Sequence, residues 1–160
     1  MPDTPLPLLP TTVIGSHATP SWLWTAFEEI EKGNYGLTDI RETYDDAVNI
    51  AMMDQERAGI DIISDGEWRR LSYIGVIADI CDGFHISYRG NQPMTCVVRP
   101  ISARSPGTLA CEAAFIRENS DCEPKVALPS PYLLGQRMWD AELSSDAYPT
   151  RESFMRALVP

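Results

Sequence analysis

The sequence predicts an α/β protein of the parallel type, and three observations carry that expectation. Short β-branched or apolar runs alternate with longer helix-like stretches. The runs are continuously apolar rather than polar on every second residue, with Ile60, Ile62 and Ile63 as the clearest case, and that is the mark of strands covered on both faces. Small, polar or charged residues follow each run: Gly15-Ser16-His17, Ser64-Asp65-Gly66-Glu67 and Pro129-Ser130-Pro131. In parallel folds the loops after the strand ends build the ligand site.

Taken in order, residues 1–10 (MPDTPLPLLP) form an irregular, proline-rich lead-in, and residues 11–160 form one domain. Thr11 to Ile14 reads as a strand closed by the Gly15-Ser16 turn. Trp22 to Glu31 is helix-like and is ended by Lys32-Gly33-Asn34. Thr38 is the expected N-cap of a longer helix, in which Ile40, Tyr44, Ala47, Ala51 and Ala58 keep one face apolar. Gly59 closes it, and a strand from Ile60 to Ile63 follows at once. Leu71 to Ile80 is expected to be helical, and Asp82-Gly83 stops it. Phe84 to Tyr88 and Met94 to Arg99 read as the strands of a hairpin separated by Arg89-Gly90-Asn91. Leu109 to Arg117 reads as helix and Lys125 to Leu128 as strand, and from Tyr132 onward helical fragments alternate with Ser, Asp and Pro breaks.

Composition narrows the function classes. The 160 residues carry a formal charge of -10, which argues against nucleic acid, because phosphates demand a basic face. No run of some eighteen apolar residues can span a bilayer, and the N-terminus lacks the basic-then-apolar pattern of a signal peptide. A cytoplasmic location is therefore expected. Cys81, Cys96, Cys111 and Cys122 never fall at CxxC spacing, and His17 and His85 are the two histidines. No zinc-ligand cluster is visible, and the cysteines read as small, buried, reduced residues. His17 reads as a loop residue, His85 as a core or edge strand residue, and Trp22, Trp24 and Trp68 as packing groups.

The ordered set "TTVIGSH", "DQERAGIDIISDGEWRR", "DGF" and "KVALPSPYLL" resembles the catalytic barrel of the cobalamin-independent methionine synthase family, from about Thr11 to about Trp139. The resemblance implies a partial (β/α)₈ TIM barrel containing about the first four strand–helix units, so that residues 11–160 would be a single incomplete barrel domain. It also implies methyl transfer from a methyltetrahydrofolate-type donor to the thiol of homocysteine, assisted by zinc. The metal's part is chemical: a thiol with pKa near 8.5 is mostly protonated at neutral pH, and coordination yields the thiolate.

Position by position, the resemblance implies that Ile14, Gly15 and Ser16 hold the amino acid part of homocysteine and that Glu67 contacts its α-ammonium. No catalytic residue and no zinc ligand is carried over, because the family's ligands lie in the half of the barrel that these residues do not match. The region Cys96 to Pro100 resembles the folate-side segment only loosely, so no folate residue is assigned. Asp65, Arg69 and Arg70 are rim residues without a role, and a plainer reading pairs Glu67 with Arg70 or has it cap a helix. Such a chain is expected to be truncated and inactive alone, and to self-associate across an open sheet edge or join a complementing chain. Two other readings stay open: a non-catalytic or degenerate amino-acid-binding module, and a uroporphyrinogen-decarboxylase-like or corrinoid-linked methyltransferase. The last would need carboxylate recognition by Arg69, Arg70 and Arg99.

Overall fold

In the computed structural model, which describes residues 5–70, 72–89, 92–104 and 107–159, the chain divides into two units. One comprises Met1–Leu71 with Cys111–Ala127, the other Ser72–Ala110 with Leu128–Pro160.

A parallel ladder organises the first unit. Thr12 bridges to Ile62 in strand β1 (Ile62–Ile63). On its other side β1 pairs in parallel with β4 (Glu123–Pro124), Ile62 opposite Glu123 and Ile63 opposite Pro124. The spatial order is thus the chain order, as consecutive βαβ crossovers produce. The helices between the first two segments are α1 (Ser21–Glu31) and α2 (Leu37–Arg57). The β segments are shorter than the sequence suggests. Thr11 to Ile14 supplies the single bridge at Thr12, because Val13 O is turned to the Lys125 ammonium instead. Ile60 is taken up by the turn that caps α2, its N–H donating to Gln55 O. Lys125 N–H donates to Ile63 O (2.7 Å) and thereby extends the last pairing, which centres on Glu123–Pro124 rather than on 125–128.

The caps also differ from expectation in one place. Helix α2 begins at Leu37 with Gly36 before it, and the Asp39 carboxylate reaches back to accept the Gly36 N–H (2.8 Å). Thr38 lies inside the first turn. The other end is as expected: Gly59 takes φ +73°, the left-handed turn that ends helices. Leu23, Ala26, Ala47, Ala51 and Trp68 form one buried cluster of this unit, and Val48, Met52, Ile63 and Ile116 another. The second cluster includes a residue of α4 (Thr108–Asn119).

The second unit is built on an antiparallel hairpin, β2 (Cys81–Arg89) and β3 (Gln92–Ala103), longer on both sides than the sequence suggests. Phe84 faces Val97 and His85 faces Cys96. The turn residues Gly90 and Asn91 lie outside the described residues. A bulge sits between Asp82 and Phe84, and Gly83 makes it possible. Its φ is +106°, and a Cβ there would lie 2.8 Å from Arg99 O. The bulge is why β2 starts at Cys81 rather than beyond Gly83. The helix expected from Leu71 to Ile80 is the short α3 (Val76–Ile80), with Leu71 outside the described residues. Helices α5 (Pro131–Met138) and α6 (Arg151–Ala157) follow, N-capped by the Ser130 and Thr150 side chains. Ile77, Val97, Leu134, Met138 and Phe154 are the core. His85 is exposed on its strand, and of the cysteines Cys96 alone is fully buried, whereas Cys111 is exposed. Trp22 and Trp24 are about half exposed, so of the three tryptophans singled out Trp68 is the buried one.

Candidate functional site

The ladder brings two turns together in the first unit. His17 N–H, after the first segment, donates to Gly66 O, after β1 (3.0 Å), and the Trp68 indole N–H donates to His17 O (3.2 Å). The two rings also meet edge-on, centroids 6.1 Å apart. Gly15 lies against Glu67 so closely that a Cβ on it would stand 2.7 Å from Glu67 Oε1. A side chain there would have to push the Glu67 carboxylate aside, so glycine is what lets that carboxylate rest over the backbone. The Ile14 side chain is fully exposed and Ser16 is exposed, so Ile14 has its backbone to offer and Ser16 its hydroxyl.

The turn carrying Glu67 is held from several sides. Gln55 of α2 accepts the Ser64 N–H (2.9 Å) and donates to Ser64 O (2.7 Å). The Gly66 N–H donates to Ser64 Oγ (3.2 Å), and the Glu67 N–H to Asp65 Oδ1 (3.0 Å). Gly66 and Glu67 are both left-handed, at φ +69° and +59°. For a glutamate that conformation is strained, of the kind that surrounding structure must enforce. A Cβ on Gly66 would lie 3.0 Å from the Ala51 Cβ and 3.2 Å from the His17 ring, so Gly66 serves close packing as well.

Arg70 is not a rim residue. Its side chain is 2% exposed, and its guanidinium donates to both Glu112 oxygens (2.6 Å at the shortest) and to Ala127 O (2.9 Å). Asp65 Oδ1 is 3.9 Å from the same guanidinium. Arg69 pairs with Asp45 and lies over the Phe115 ring. Residues 66–69 form a turn and not a helix, so Glu67 caps no helix, and the Arg70 guanidinium donates to Glu112 and Ala127 O rather than to the Glu67 carboxylate. The carboxylate recognition that a decarboxylase-like reading needs from Arg69 and Arg70 is thus occupied by the protein's own acids. Sequence reasoning does not single out Glu112 within its helix. Its signal is there in retrospect, a lone acid inside the apolar "LACEAAF".

Burial dominates the electrostatics. Glu67 is 9% exposed, and desolvation pushes its pKa above the ordinary 4.5, with Asp65 adding to the rise and Arg70 opposing it. Desolvation also raises Glu112, against the hydrogen bonds from Arg70. Among the described residues, the buried side-chain atoms His17 Nε2 and Asp65 Oδ2 have no hydrogen-bond partner.

Buried carboxylates beside a glycine bend, at the ends of parallel strands, stand where α/β folds place their ligand sites. Residues 9–103 match the family model described as "Cobalamin-independent synthase, Catalytic domain", and the chain belongs to that family. It is 40% identical to a methionine synthase of Saccharolobus solfataricus over 82% of this chain and 41% of that one. With a methionine synthase of Sulfurisphaera tokodaii it shares 43% identity over 49% of this chain and 23% of the relative. The chain thus spans about two-fifths of the longer-matching relative. Among solved structures it resembles a B12-independent methionine synthase from a Shewanella species in complex with selenomethionine. There the TM-score is 0.73 at 26% identity, covering 95% of this chain and 45% of that one. A putative vitamin-B12 independent methionine synthase from Listeria monocytogenes shares the fold, with TM-score 0.65 at 18% identity over 93% of this chain and half of that one.

Among the described residues no group of three or more His, Cys, Asp or Glu side chains is arranged to hold a metal ion. The zinc implied by the family has no fitting ligand set among those residues. No helix among them is long and apolar enough to cross a membrane.

Proposed function

We propose that the first unit is the amino-acid-binding part of a methionine-synthase-like methyltransferase, built on part of a (β/α)₈ barrel. In this reading the Ile14–Ser16 turn receives the α-carboxylate of homocysteine, or of its methylated product, through backbone N–H groups and the Ser16 hydroxyl. Glu67 receives the α-ammonium as a charge-assisted pair in a site poor in water. One observation carries it: the fit of Gly15 under Glu67 Oε1, which puts a carboxylate beside a free bend of backbone. The selenomethionine in the Shewanella relative is an amino acid of the same chemistry. A methyltetrahydrofolate is the methyl donor the family implies. The chain binds without methylating by itself, because thiolate formation needs a group for which the described residues hold no ligands. It works with a complementing chain or copy, in the cytoplasm.

Calorimetry tests the reading. The chain should bind homocysteine and methionine, and Glu67→Gln should weaken binding about tenfold to a hundredfold, the worth of a hydrogen bond to a charged group. No binding by the wild-type chain, or equal binding by the variant, would overturn it.

A further inference from the structure

Asp65, Glu67 and Glu112 bring three buried carboxylates to one turn of the first unit, against the single guanidinium of Arg70. Arg69, the next cation along the chain, is already paired with Asp45. Buried charge of one sign is costly unless something of the other sign meets it. The shortage is localised. Glu112 has both oxygens on Arg70, and Asp65 Oδ1 accepts the Glu67 N–H. Asp65 Oδ2 is buried with no donor at all, on a residue 1% exposed. An anionic oxygen in that state is rare in folded proteins and calls for a missing partner. His17, the other titratable group against this turn, packs on Gly66 and likewise leaves Nε2 without a partner.

We infer that Asp65 is a specificity-determining residue of the amino-acid site: its buried negative charge, two residues from Glu67 on the same turn, favours a ligand bearing an ammonium group. This deepens the reading of Glu67 as the ammonium's partner and rests on it. Asp65 acts in two ways. Through Oδ1 it holds Glu67 in its left-handed turn, and through its charge it adds to a turn with more buried carboxylates than cations. A zwitterionic amino acid brings an ammonium to that turn along with its carboxylate, whereas the same thioether acid without its amino group brings the carboxylate alone.

The isosteric change Asp65→Asn separates the two roles, since asparagine keeps an acceptor for the Glu67 N–H and loses the charge. Calorimetry with methionine and with 4-(methylthio)butanoate, its des-amino analogue, gives the readout. The wild-type chain should prefer methionine by about tenfold or more, the factor expected when a charged hydrogen bond is lost. Asp65→Asn should shrink that preference severalfold, chiefly by weakening methionine, with an unchanged circular dichroism spectrum. Without ligand, Asp65→Asn should melt higher than wild type at neutral pH, because one buried negative charge in excess of the Arg70 guanidinium is gone. An unchanged preference in Asp65→Asn, with Glu67→Gln still impaired, overturns this inference and leaves the site reading standing. Failure of the wild-type chain to bind methionine overturns both. A lower melting temperature for Asp65→Asn would mark Asp65 as purely structural and also sink the inference.

Discussion

On the proposed reading, Glu67 holds folding and binding in opposition. Its left-handed φ of +59° costs about 1–2 kcal/mol in an ordinary L-residue. Asparagine tolerates that region better, so Glu67→Asn should raise stability by up to ~1 kcal/mol in chemical denaturation while losing amino-acid binding. A variant less stable than wild type would show that the glutamate's contacts outweigh its strain. The raised pKa gives a second expectation. The native chain holds the Glu67 proton more tightly than the unfolded chain does. This stabilising contribution is therefore complete below the unfolded value near 4.5 and is lost as pH rises through the higher native pKa. Binding of an ammonium runs the other way, because it needs the ionised carboxylate. The thermal shift caused by methionine should therefore grow as pH rises through that same window, and Glu67→Gln should flatten the curve.

At the scale of elements, the polar girder is Arg70 with Glu112. It joins the turn after β1 to α4 and, through Ala127 O, to the segment after β4. Breaking a buried pair from one side strands a charge. Arg70→Met should therefore cost about 3–5 kcal/mol, and Arg70→Met with Glu112→Leu should recover much of the loss, as apolar replacements of buried pairs often do. Urea melts of the two single variants and the double variant measure the coupling; additive losses would show that the pair does not act as a unit. The pair also explains what was hard to read. Arg70 and Glu112 stand 42 residues apart, so each alone looks like an ordinary surface charge. Gln55 is similar: its double bond to Ser64 fixes the site turn from inside α2, where the sequence offers a polar residue on a helix and nothing more.

For the molecule as a whole, the exposed apolar side chains are the main consequence. Leu8 and Leu9 are 96% and 85% exposed and Ile14 is fully exposed, and among the described residues the parallel ladder is made of very short segments. Soluble monomers seldom leave such surface bare. Sedimentation velocity should show association that rises with concentration and falls when Leu8 and Leu9 are both changed to Ser. A single sharp monomer boundary across the concentration range would refute it.

Local chemistry was enough to read the helices 21–31 and 108–119 closely, the left-handed stop at Gly59, the pairing of the hairpin, and the two glycine-bearing turns that follow the apolar runs. These depend on neighbours within a few residues, where propensity, caps and turn residues act directly. Strand length, the bulge at Gly83, the burial of Arg70 and the charge shortage around Asp65 were settled only when distant segments met. A ladder needs a partner strand, and a charge is costly or harmless according to what surrounds it, and neither is written in the residue itself.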